Sequence, residues 1–288
     1  RYQIGKVYAG EKAQKGRYRE FYQCDIDIIG DGKLSIINDA ELPAVIYNTF
    51  TKLGFDDFTI CINNRKILNG LFLNLGLQND ATNILRIIDK IDKIGKDEVK
   101  KELLCGIEKE KVDMIIKFLE IDGSNEEKLS ALEALNVNEE LFIEGLNELK
   151  EVIKYIKRFD VPEKYINIDL TIARGLDYYT GTVYETFLNK NRNFGSVCSG
   201  GRYDNLTSYY LDKKMPGVGI SIGLTRLFFL LTDNKIISAE NESISKTMII
   251  SMTDNCEKCI EIASTLRKAG INVQTNIESQ NVGKNFTH

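Results

Sequence analysis

Hydrophobic and polar positions alternate at both ends of the first thirty residues. Tyr2–Tyr8 (YQIGKVY) and Phe21–Ile29 (FYQCDIDII) each predict a strand, joined by a polar connection, AGEKAQKGRYR, too long for a tight turn. The pattern then changes period. Residues 39–54 predict a helix with Asp39 as N-cap, Ala44, Val45, Tyr47 and Leu53 on its apolar side, and Gly54 as its stop. Phe58–Asn63 predicts a further strand. From 79 to 160 Lys, Glu, Asp, Ile and Leu dominate. Helical spacing recurs in Ile84, Leu85, Ile87, Ile88, Ile91 and Ile94, and again in Val112, Ile115, Ile116 and Leu119. This segment reads as an all-helical insertion whose charges are either a solvated face or an RNA contact.

Strand patterns return at Tyr165–Leu170, Thr182–Phe187, Gly195–Ser199 and Gly217–Ile222, the last followed by a helix over Gly223–Leu231. A polar linker, Asp233–Lys246, leads to a strand (Thr247–Met252), a helix (Cys256–Ala269) and a strand (Ile271–Asn276), the opening βαβ of a second α/β domain. That domain stops at residue 288, too short to close a core, and no methionine precedes Arg1, so truncation at both ends is expected.

Composition narrows the chemistry. The chain has 288 residues, 43% hydrophobic and 28% charged, consistent with roughly two domains. Its net charge of −4 leaves room for a local basic stripe but excludes a generally polycationic nucleic-acid binder. The single histidine is His288, which removes a histidine general base, a Ser-His-Asp triad and a histidine-rich zinc site. Six dispersed cysteines lack a disulfide framework, and no membrane span or signal peptide is visible; a reduced, cytoplasmic protein is expected. Cys256 and Cys259 are spaced like a redox pair, yet Cys256, Ile260, Ala263 and Leu266 or Arg267 also step along a helix as core fillers.

Five constellations carry chemistry. On the second strand Phe21, Gln23, Asp25 and Asp27 share one face, which is either a solvated sheet surface or the floor of a pocket for a polar or cationic molecule. The loop before it supplies Lys12, Lys15, Arg17 and Arg19, suited to a polyphosphate. Arg174–Gly181 (RGLDYYTG) offers a guanidinium fork and paired tyrosines. Ser199–Asp204 (SGGRYD) is a tight turn or a binding loop. Gly217–Arg226 (GVGISIGLTR) has glycines at alternate positions that clear one strand face for a flat ring, and its spacing is not the dinucleotide GxGxxG.

In this order the pieces resemble the histidyl-tRNA synthetases, members of the class II aminoacyl-tRNA synthetases. Gly16–Gly30 is similar to motif 2, Arg174–Glu185 and Cys198–Leu206 to the two histidine-specific signatures, and Pro216–Leu227 to motif 3. The resemblance implies an α+β fold: an antiparallel sheet flanked by helices, with the all-helical insertion and a C-terminal α/β anticodon-binding domain. Residues 1–78 and 161–235 would be the catalytic core, 79–160 the insertion, and 246–288 the start of the anticodon-binding domain. The implied activity is ATP-dependent activation of L-histidine to histidyl-adenylate and its transfer to tRNA-His, by a homodimer using ATP and Mg²⁺.

Carried across residue by residue, Gln23 would contact the amino-acid backbone, Asp27 and Tyr179 the imidazole, and Tyr178 the same pocket. Arg174 would be catalytic, bridging the histidine carboxylate and the α-phosphate. Phe21 and Arg226 would sandwich adenine, with Glu11, Arg17 and Arg19 on the ATP side and Glu11 touching Mg²⁺. Two positions depart from the family pattern: Ala9 stands where the motif 2 arginine is expected, and Ala13 where proline is usual. Motif 1 and the acidic residue for the amino group would precede Arg1. Two readings follow, an active ligase or a non-catalytic paralogue that binds tRNA or regulates a partner; Ala9 favours the second, the intact signatures the first.

Overall fold

The computed structural model describes residues 1–10, 16, 18–88, 90–172, 178–209, 212–237, 243–251 and 256–276. The chain divides into two units, Arg1–Leu230 and Leu231–His288. Among the described residues seven strands form the sheet of the first: β1 (Tyr2–Tyr8), β2 (Glu20–Ile29), β3 (Phe58–Asn64), β4 (Ile166–Ile168), β5 (Thr182–Leu188), β6 (Cys198–Tyr203) and β7 (Gly217–Ile222). They lie in the order β1-β2-β7-β6-β5-β3-β4. Every neighbouring pair is antiparallel except β3–β4. A parallel pair needs a crossover. Here the crossover is the helical segment: α2 (Arg65–Asn74), α3 (Ala81–Ile88), α4 (Ile91–Ile94), α5 (Lys96–Leu104), α6 (Lys109–Leu119), α7 (Asn125–Ala134) and α8 (Glu140–Arg158).

The two faces of the sheet have different fates. On the back, Phe58, Ile60, Ile62, Tyr184 and Ile220 are buried, covered by α8 and by α1 (Ile37–Lys52), which contributes Leu42, Ile46 and Phe50. Fixing these side chains against two helices removes a large apolar area from water, the main driving force for this layer. Asp39 does not cap α1 as expected. It lies inside the first turn, fully buried, and accepts from the Arg202 Nε of β6 at 3.0 Å, with a second bond from Nη2. A buried acid is tolerated at that depth because a guanidinium meets it. Burial lifts the Asp39 carboxyl above its ordinary range, with Arg202 pulling it back. Leu53 points to solvent rather than the core, and Gly54, at φ +85°, follows the helix end as expected.

The free edge of the sheet, β4, is closed by α7. The Asn125 amide donates to Ile166 O at 2.9 Å and accepts from Ile168 N at 2.7 Å, taking the place of a neighbouring strand. Buried Lys128 adds bonds to Asn167 Oδ1 and Ile168 O. β4 is three residues long, shorter than the Tyr165–Leu170 expected, because Glu163–Tyr165 forms a 3-10 turn. The strand expected at Gly195–Ser199 begins later, at Cys198, and runs to Tyr203. Gly195, at φ +87°, ends the preceding 3-10 segment, and Ser199–Tyr203 is strand rather than tight turn.

Leu224–Asp233 forms α9 behind β7. In the second unit, β8 (Thr247–Ile250) and β9 (Val273–Asn276) pair in parallel around α10 (Cys256–Lys268), as a βαβ unit should. The inward side of α10 is Cys256, Cys259, Ala263 and Leu266. Ile260, expected among the core fillers, is 55% exposed.

Candidate functional site

The front face of the sheet carries the site, and β2 sets its axis. The pleat turns Phe21, Gln23, Asp25 and Asp27 to one side, and antiparallel pairing places Ser221 and Gly219 of β7 opposite Asp25 and Asp27. β6 continues the rows, with Ser199 opposite Ser221 and Gly201 opposite Gly219. A cavity of about 220 Å³ lies at the Phe21 end, lined by Tyr18, Phe21, Gln23, Ser199, Ser221 and Arg226 among others. Three contacts build it. Thr225 Oγ1 accepts from Tyr22 N at 2.8 Å, which pins the start of α9 to β2. Arg226 Nη1 donates to Ser196 O, which holds the guanidinium at the wall. Gly16, at φ +72°, sits against Phe194, where a Cβ would come within 2.2 Å of the ring; Phe194 in turn stacks on Phe229 at 5.4 Å.

Further along β2 the glycines make room. A Cβ at Gly219 would lie 2.1 Å from Asp27 Oδ1, and one at Gly201 would lie 2.8 Å from the Tyr179 ring. The Gly217 position is filled by the Tyr203 ring, 2.3 Å from an added Cβ. The alternate glycines thus admit side chains of the protein itself, Tyr203 and Asp27, where a ligand ring was expected. Tyr203 donates its hydroxyl to Asp27 Oδ1 at 2.6 Å, a charge-assisted bond that fixes the carboxylate's direction. Burial, and then the Asp27 carboxylate it bonds, push the Tyr203 phenol upward, so it stays a donor. Burial likewise raises Tyr179, whose ring centroid lies 4.2 Å from that of half-exposed Tyr178. The segment after the tyrosines is tied to β6: Thr180 N donates to Arg202 O at 2.8 Å and Thr180 Oγ1 to Asp204 Oδ2 at 2.6 Å.

Of the residues singled out from the sequence, Phe21, Gln23 and Arg226 meet at the cavity. Asp27 joins Tyr203, and Tyr179 lies on Gly201 with Tyr178 beside it. Arg19 is exposed and is not among the cavity's lining residues; its carbonyl accepts from Ala9 N at 2.9 Å. Glu11, Arg17 and Arg174 lie outside the described residues, as does Ala13. Tyr203, Tyr18 and Thr225 were not singled out. Tyr203 was legible in principle, since Ser199, Gly201 and Tyr203 share a strand face once SGGRY is read as extended.

The arrangement offers an aromatic ring and a guanidinium at one end, an amide in the middle, and an oriented carboxylate with tyrosines at the other. A family model described as histidyl-tRNA synthetase matches residues 2–227. The chain is 55% identical over 290 residues to a histidine–tRNA ligase of Clostridium tetani and 47% identical over 289 residues to one of Finegoldia magna. All of this chain is covered in each case, and 66% and 67% of those relatives. It thus spans about two thirds of their length. Among solved structures it is similar to a histidyl-tRNA synthetase from Nostoc sp. PCC 7120, with TM-score 0.79 and 43% identity over 100% of this chain and 67% of that one. An ATP phosphoribosyltransferase regulatory subunit/histidyl-tRNA synthetase from Bacillus halodurans shares the fold at 22% identity and TM-score 0.72. With its site geometry, its motif order and a family match across most of its length, the chain belongs to the histidyl-tRNA synthetase family.

Proposed function

We propose that the protein of which this chain is a part activates L-histidine with ATP and transfers it to tRNA-His. The observation that carries this reading is the order of groups along the front face: Phe21 and Arg226 at the cavity, Gln23 next, then Asp27 directed by Tyr203 beside Tyr179. Phe21 and Arg226 suit a purine sandwiched between a ring and a guanidinium, Gln23 an amino-acid backbone, and Asp27 with Tyr179 an imidazole. In the reaction a carboxylate oxygen of histidine bonds to the α-phosphorus of ATP as the bond to pyrophosphate breaks. Charge gathers on the phosphoryl oxygens, and Arg174 is the cation assigned to them. Magnesium would arrive with the ATP. The phosphates would be its chief ligands, with Glu11 as the protein contact.

The remaining assignments follow the same reading. Residues 1–78 and 161–235 would form the catalytic core, 79–160 the insertion, and 246–288 the start of an anticodon-binding domain. Among the described residues no helix is long and apolar enough to cross a membrane. Work in the cytoplasm follows from the proposed charging of tRNA. Tyr2, Ile4 and Tyr8, all exposed on edge strand β1, support association with a second copy as a homodimer.

Ala9 favours a second reading, a non-catalytic or impaired relative. Its backbone keeps the hairpin bond to Arg19, but its methyl brings no charge to the front face. Histidine-dependent pyrophosphate exchange on the full-length protein decides between the two, with Ala9 as found and with Ala9→Arg. Restoring a phosphate-binding cation is expected to raise the rate by about 10²–10³. Equal rates would make Ala9 harmless, and no exchange from either protein would sink the ligase reading.

A further inference from the structure

Asn63 lies near the end of β3, fully buried. Strand pairing puts Asn63 opposite Val183, Val183 opposite Gly201, Gly201 opposite Gly219 and Gly219 opposite Asp27. Residues directly opposite on paired strands face the same way, so Asn63 and Asp27 belong to one row of the front face. The Tyr179 ring lies against Gly201, between them. An amide buried in such a layer is costly unless its bonds are made. Here both donors go to the segment after β4. Asn63 Nδ2 donates to Leu170 O at 3.3 Å and to Ile172 O at 3.2 Å, while Oδ1 accepts from Asn64 N at 2.8 Å. Two residues on, Arg65 N donates to Gly181 O at 2.9 Å. The described flanks on either side of residues 173–177 are thus both held by the junction of β3 and α2. Ile172 then packs with Cys61, Val183 and Phe187 in one buried cluster, and Tyr179 lies against that cluster.

We infer that Asn63 is a positioning residue for the amino-acid site: it fixes the backbone at 170–172 and, through Ile172, the Tyr179 ring beside Asp27. The inference rests on the histidine-activation reading, which gives the imidazole to Tyr179 and Asp27. Asn63 touches no ligand in this role, because both of its donors are committed to backbone carbonyls. Apolar packing keeps Ile172 in the cluster but does not direct its backbone, since burial has no preferred direction. Two hydrogen bonds to carbonyls two residues apart do direct it. Without them the segment occupies several arrangements, and histidine affinity falls in proportion to the fraction that still places Tyr179 correctly. The cavity at Phe21 and Arg226 is built by other contacts, from Thr225 and Ser196, so ATP binding does not depend on Asn63.

Calorimetric titration of the full-length protein with histidine and, separately, with ATP tests this. Asn63→Ala should weaken histidine binding about 3- to 10-fold, the range of one hydrogen bond's net contribution, and change ATP binding by less than about twofold. Asn63→Leu keeps the branched shape without the donors, so it should weaken histidine as much as Asn63→Ala does and again spare ATP. It is the deciding variant if the unfolding temperature shows that Asn63→Ala does not fold. Histidine affinity restored in Asn63→Leu would mean that the residue only fills space, and equal weakening of both ligands that it serves the fold as a whole. Either result overturns the assignment, as would no change in either variant or the failure of both to fold. Wild-type protein that binds ATP but no histidine would instead overturn the activation reading, and this inference with it.

Discussion

The bond from Tyr203 to Asp27 illustrates how one residue sets the chemistry of another. Asp27 stands on an antiparallel strand whose pleat aims it forward, but a carboxylate alone on a sheet face can rotate. The Tyr203 hydroxyl, at 2.6 Å, takes one oxygen and leaves the other to a ligand. Its raised phenol keeps the proton on Tyr203, so the direction of donation does not change across the working pH range. Tyr203→Phe removes the donor and nothing else of the ring that fills the space at Gly217. Hydrogen bonds to charged groups contribute about 1.5–3 kcal/mol, so kcat/KM for histidine should fall about 10- to 100-fold in pyrophosphate exchange. The KM for ATP should be unchanged, because Phe21 and Arg226 lie elsewhere. An equal rise in both KM values would argue that the ring, rather than the hydroxyl, matters.

At the scale of elements, the arrangement depends on how α7 meets the edge strand β4. Asn125 gives and takes one backbone bond there, which makes a side chain stand in for a strand. Asn125→Ala would orphan Ile166 O and Ile168 N, each at a cost of about 1–3 kcal/mol. The unfolding temperature of the protein should drop by several degrees, and Asn125→Asp should recover only part, since it keeps the acceptor and loses the donor. A melting temperature unchanged in Asn125→Ala would show that water replaces the amide at this edge. Behind the sheet the Asp39–Arg202 pair joins α1 to β6 in a similar way. Arg202 therefore serves the back of the sheet, while its neighbours Gly201 and Tyr203 serve the site. A single strand thus ties the second histidine signature to the hydrophobic layer beneath it.

For the whole molecule, the two units have separate internal order. The sheet, its helical crossover and the site lie in Arg1–Leu230, and a short βαβ unit lies in Leu231–His288. The large buried apolar side chains, from Leu42 and Phe50 to Phe118 and Phe142, belong to the first unit, so its stability should not depend on the second. A fragment ending at residue 237 is expected to unfold cooperatively within a few degrees of the longer chain. On the proposed function it should retain histidine-dependent exchange while losing aminoacylation of tRNA. An aggregated or unfolded fragment would show that the second unit supports the first.

Much of this was legible in one dimension. Alternation located β1, β2, β3, β5 and β7 closely and put Phe21, Gln23, Asp25 and Asp27 on a common face, because the pleat is a local property of the backbone. Motif order was enough to suggest the family. The tertiary structure alone decided which strands are neighbours. It brought Gly219 beneath Asp27 and Tyr203 onto it, buried Asp39 against Arg202 where a cap was expected, and left Leu53 and Ile260 facing solvent. These outcomes depend on residues distant in sequence competing to bury surface and satisfy polar atoms, and no local period carries that information.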